Sequence, residues 1–140
     1  VIGPTGLGTL KIGMTVSQAK ATGLITSYEA YDGPEGCGYS KLKGAGGSAG
    51  AVTHSPQLGV VAIQGYGKMH TPEGIGLGDT LDEVKQTYPD FEASDVDETE
   101  RTGDGRAWAH AAGKVNYRFT FDNDKLTELG LEHQNQDCYE

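Results

Sequence analysis

No stretch of this chain is apolar over the roughly 20 residues that a membrane-spanning helix needs. The longest apolar run is Val60–Ile63, the size of a strand. Basic residues are scarce: 11 Lys and Arg stand against 20 Asp and Glu, for a net charge of −9. That balance argues against a nucleic-acid partner, because phosphate binding needs clustered cations. It equally disfavours an anionic membrane surface. It fits a chain kept monomeric by self-repulsion, or one whose partner is basic. The spacings of the common chemistries are missing too. His54, His70, His110 and His133 form no i,i+4 pair and no HExxH. No Gly-x-Ser-x-Gly elbow is present. Gly3–Gly8 and Gly74–Gly78 lack the Gly-x4-Gly-Lys-Ser/Thr pattern of a phosphate cradle. The expectation is a protein with no cofactor, no metal and no catalytic residues.

What is present bounds the fold. The 140 residues make one domain, able to bury roughly 68–70% of its unfolded surface. The chain opens on Val1 rather than Met, which fits removal of a signal or lipid-anchor segment and an extracellular or cell-envelope location. Two cysteines, Cys37 and Cys138, show no metal spacing. In an exported chain such a long-range pair reads as a disulfide, worth about 4–5 kcal/mol on the loop-entropy argument. In a cytosolic chain the two would be buried free thiols. Asp95–Gly105 reads as an acidic loop. Asp95, Asp97 and Glu98 are its weak Ca²⁺ candidates, although the EF-hand spacing is not met and a solvated loop explains them as well.

The clearest pattern is an internal repeat. Leu10–Thr22 matches Ile75–Thr87, with Gly13/Gly78, Thr15/Thr80, Lys20/Lys85 and Thr22/Thr87 identical. Leu10/Ile75, Ile12/Leu77, Val16/Leu81 and Ala19/Val84 keep apolar character. Thr15 with Gln18, and Thr80 with Glu83, are capping boxes, each satisfying two orphan amides at a helix start. Val16, Ala19 and Lys20, and then Leu81, Val84 and Tyr88, fall near one stripe of each helix. The first helix ends near Gly23 and the second before Pro89. Both are too short to persist without packing.

Strands follow each helix. Val115–Phe121 alternates strictly, with Val115, Tyr117, Phe119 and Phe121 on one side. A three-residue loop, Asn123–Lys125, pairs Phe119 with Leu129 and Tyr117 with Leu131 in the strand Leu126–His133. A turn at Gly113-Lys114 pairs Arg106–Ala112 so that Trp108 meets Phe119 inside the core. In the first half, Leu24–Tyr31, Cys37–Lys43, Ala51–His54 and Gly59–Gly65 are weaker strands, and Gly44–Gly50 is a flexible loop. The expected fold is α+β: two tandem helix-plus-antiparallel-strands repeats, residues 1–66 and 67–140. They form one sheet with helices on one face and the other face partly open.

The string from Leu10 to Ala19 resembles a motif of two related groups. These are the secreted β-lactamase inhibitor proteins of actinomycetes and the small outer-membrane lipoproteins of barrel assembly. Both carry an apolar-x-apolar-Gly-Met-Thr element opening a helix. The inhibitors carry it twice, as here at Gly13–Thr15 and Gly78–Thr80. The chain is also similar to exported proteins and lipoproteins of actinobacteria. The inhibitors have a disulfide within each repeat and a longer repeat spacing. No inhibitory loop matches, so no binding residue carries over.

Tyrosine is the remaining clue, since interfaces are enriched in Tyr and Trp. Tyr28, Tyr31, Tyr39 and Tyr66 are the candidate binding residues, with Tyr39, Tyr66 and the Gly44–Gly50 loop on the open face. The alternative is that these rings rim the core with their hydroxyls in water. The reading is an exported protein-binding module with an unidentified protein partner, such as an inhibitor of a secreted enzyme. A cell-envelope lipoprotein with an assembly role is the second reading, and a small hydrolase the third.

Overall fold

The computed structural model describes residues 1–30, 36–46 and 49–139. A short hairpin, β1 (Gly6–Leu7) and β2 (Leu10–Lys11), leads into helix α1 (Val16–Ala21). Four strands follow: β3 (Ile25–Ala30), β4 (Gly38–Leu42), β5 (Ala51–Ser55) and β6 (Gly59–Gln64). The second half opens with α2 (Leu81–Thr87), then β7 (Glu92–Ala93), α3 (Val96–Thr102), β8 (Gly105–Ala112), β9 (Val115–Asp122) and β10 (Lys125–His133). Among the described residues no helix is long and apolar enough to cross a membrane.

Strands β3 to β10 form one antiparallel sheet in the order β3-β4-β5-β6-β10-β9-β8-β7. Each half contributes a four-stranded meander, and the last strands of the two meet in the middle. That seam pairs Gly130 with Gln64, Leu131 with Ile63 and Glu132 with Ala62.

Helices α1 and α2 start as the capping boxes require. Thr15 accepts from the Gln18 amide while Gln18 Oε1 takes the Thr15 amide. Thr80 and Glu83 do the same. The residues just before them share a further device. Gly13 and Gly78 both take positive φ, 95° and 94°, where a side chain is strained. The Gly13 amide donates to Val60 O and the Val60 amide to Met14 O. In the other half the Gly78 amide donates to Leu126 O and the Leu126 amide to Asp79 O. Each helix start is thereby stitched to the beginning of its own half's last strand.

The core lies on one side of the sheet. Phe119 pairs with Leu129 and Ala107, Tyr117 with Leu131 and Ala109, Leu131 with Ile63, and Ile63 with Val52. All of these side chains are buried. Leu81 and Val84 of α2 join the cluster around Phe119, and Ala19 of α1 joins the one around Val52 and Ile63. Each large side chain fully buried here contributes about 1.5–3 kcal/mol. The halves are laced together at both ends. The Ile2 amide donates to His70 O and its side chain is buried in the cluster around Phe119, and Cys138 is bonded to Cys37.

Three expectations need correction. First, Asn123–Lys125 is not a three-residue loop. Lys125 pairs with Asp122, leaving a two-residue turn in which Asn123 and Asp124 both have positive φ. The expected Phe119–Leu129 register holds because a bulge at Thr127 adds the missing residue. Second, Trp108 does not meet Phe119. The Gly113-Lys114 turn forms as expected, but a bulge at Ala111 shifts the strand by one residue. Ala107 therefore faces Phe119, and Trp108 faces Arg118 on the opposite side. Third, Asp95–Gly105 is not a loop throughout. Asp95 caps α3 by accepting from the Glu98 amide, and Gly103 ends it in the left-handed conformation.

Candidate functional site

The alternation that buries one side of the sheet sends the other set of side chains to an open face. Two rungs cross it. One runs Tyr39, Thr53, Ala62, Glu132, Asn116, His110. The other runs Gln64, Gly130, Arg118, Trp108, Glu92.

Glu132 is the centre of this face and is only 9% exposed. Trp108 Nε1 donates to its Oε1 at 2.9 Å, and the Tyr139 hydroxyl donates to its Oε2 at 2.6 Å. Arg118 Nε lies 3.3 Å from Oε2, but its N–H is not aimed at an acceptor, so this is a charge contact rather than a hydrogen bond. The Arg118 guanidinium sits 5.7 Å from the centre of the Tyr139 ring, within cation–π range. Burial, then the hydrogen bond and charge of Glu132, raise Tyr139 well above the usual phenol range, with Arg118 opposing in part.

Tyr139 reaches this face because the tail is anchored. The Cys37–Cys138 disulfide brings the two Cα atoms to 5.9 Å. Gln136 then folds the tail into a turn: its Oε1 takes the amides of Cys138 and Tyr139, and its Nε2 donates to Tyr139 O.

Beside Tyr139 the face holds a depression of about 260 Å³. Gly130 accounts for it. The residue has no side chain between Gln64 and Arg118, and a Cβ there would come 2.6 Å from Ile63 O. Ala51, Thr53 and Ala62 extend the floor, and Glu128 closes one end. Glu128 accepts from Gln64 Nε2 at 3.2 Å and stands 4.0 Å from Arg118 Nη1, with its side chain 45% exposed.

The candidate tyrosines divide between the two sides. Tyr39 is on the open face and exposed. Tyr66 is on the helix side: it packs with Leu42 and Leu24, and its hydroxyl donates to Lys43 O at 2.8 Å. Tyr28 is also on that side, edge-on to His54 with Lys20 over its ring. Tyr31 lies outside the described residues, as do residues 47 and 48 of the Gly44–Gly50 loop. Trp108, Arg118, Glu132 and Tyr139 were absent from the sequence-based candidates. The strict alternation of β9 was the available signal, since it sends Asn116, Arg118 and Thr120 away from the core.

The weak Ca²⁺ candidates are not gathered into a site. Asp95 is occupied as a helix cap. Among the described residues the grouped ligand atoms are those of Cys37, Asp137 and Cys138, and both sulfurs are in the disulfide. A Ser–His pair does occur: Ser40 Oγ and His54 Nε2 are 2.8 Å apart. Both residues are buried on the helix side. Burial, helped by the Lys20 charge, pushes His54 down to about 4, so the ring is neutral at pH 7.

Compared with known protein families, curated proteins and solved structures, the chain gives no match in any of the three.

Proposed function

We propose that this chain is an exported, non-catalytic protein-binding module that uses the open face of its sheet as the contact surface, as an inhibitor of a secreted enzyme would. The observation that carries the reading is the arrangement around Glu132. Trp108, Tyr139 and Arg118 converge on one desolvated carboxylate beside a depression, with Tyr39 on the same rung. Aromatic and Arg side chains are what interface centres are built from. The Cys37–Cys138 bond supports an oxidising compartment.

The same reading treats the halves as tandem repeats of one unit, like those of the secreted β-lactamase inhibitor proteins. Support comes from the matched capping boxes and from the equivalent stitches of Gly13 to Val60 and Gly78 to Leu126.

The test uses the oxidised protein as bait against culture supernatant and envelope extract. Trp108→Ala and Tyr39→Ala are compared with Val96→Ser, which alters an exposed residue of α3. The expected result is a captured protein lost with the first two variants and kept with the third. Capture that survives both face variants, at unchanged stability, sinks the proposal.

A further inference from the structure

Resting on that reading of the open face, we propose that the depression over Gly130 receives a lysine or arginine side chain from the partner.

Its shape suits a long aliphatic stem. The floor is Gly130 with Ala51 and Ala62, and the Tyr139 ring stands at its side. A stem of three or four methylenes lying on such a surface keeps its charged head at the rim.

The charges decide the head group. Glu132 faces Arg118 at 3.3 Å, so those two opposite charges largely offset each other. Glu128 is left with a neutral amide from Gln64 and a contact to Arg118 of 4.0 Å. Its carboxylate is half in solvent at the mouth of the slot. Glu128 is the acidic residue that lines the depression, and the whole chain carries −9. A cation is attracted on approach and finds an acceptor on arrival. An acidic side chain would meet Glu128 head-on. An aromatic ring would cover the glycine but leave that carboxylate poorly paired.

Two short peptides separate this from the wider proposal, because neither requires the natural partner. Acetyl-Gly-Lys-Gly-amide and its norleucine counterpart share a stem and differ in charge. Each is titrated into the oxidised chain and followed by amide NMR. The lysine peptide is expected to shift the backbone amides of Ala62 and Gly130 and the side-chain amide of Gln64, and the norleucine peptide to bind more weakly. Glu128→Gln keeps an acceptor for Gln64 and is expected to weaken the lysine peptide about three- to fivefold, the range of a partly exposed ion pair. Ala62→Leu fills the floor and is expected to abolish those shifts while the rest of the spectrum stays native. Equal binding of the two peptides overturns the inference. So does an unchanged affinity in Glu128→Gln, or shifts confined to the acidic residues of α3. None of these results bears on whether Trp108 and Tyr39 capture a protein.

Discussion

Two buried polar residues set the behaviour of the two sides of the sheet. Glu132 holds the open face together through three partners. Glu132→Ala removes the acceptor for Trp108 and Tyr139 and leaves the Arg118 charge half-buried without its closest counter-charge. A loss of about 3 kcal/mol in urea unfolding is expected. Glu132→Gln is expected to lose less, because one acceptor survives. On the other side, His54 makes stability depend on pH. Its folded-state pKa of about 4 is below the unfolded 6.5, so below 6.5 the unfolded chain binds the extra proton. Its contribution is complete above pH 6.5 and is lost as pH falls toward 4, to a limit of roughly 3 kcal/mol. Urea midpoints at pH 7 and pH 5 check this, with His54→Gln expected to be flatter across that window.

At the level of elements, what repeated in the sequence was readable and what broke repetition was not. The capping boxes state their geometry locally, so Thr15 and Thr80 could be placed without coordinates. Their loss is correspondingly local. Thr80→Ala and Thr15→Ala are each expected to cost about 1 kcal/mol and to add in the double variant, as thermal melts will show. Register behaved differently. The apolar alternation fixed Phe119 against Leu129 even though the turn length was misjudged, because only that pairing keeps one side dry. The bulge at Ala111 left no such mark: the inserted residue is small and neutral, and it silently turned Trp108 to the other side. That one residue gives the open face its central aromatic. α3 was missed because its sequence carries no apolar stripe. It stands on its Asp95 and Gly103 ends and on the Lys85–Glu100 ion pair. The two-residue turn suggests one more measurement. Asp124 has φ of 71°, so Asp124→Gly is expected to raise stability by about 0.5–1 kcal/mol in the same melts.

Over the whole molecule, the disulfide does two jobs that reduction would separate. It closes a loop of 101 residues, and its loss is expected to cost about 2–5 kcal/mol, seen as a lower urea midpoint in dithiothreitol. It also delivers Tyr139 to Glu132, so the Trp108 indole N–H resonance is expected to move on reduction even where the fold persists. The β6–β10 pairing and the Ile2–His70 contact between the halves are noncovalent, and the sulfur bond is not. The difference matters when the chain is pulled. A force applied between Val1 and Cys138 reaches the bond after stretching only residues 1–36, a tether of about 120 Å. Everything from β4 to β10 lies in the unloaded arc between the two sulfurs. A pull between those two points therefore spends its work on the first helix and its neighbours, while Trp108 and Glu132 ride on slack.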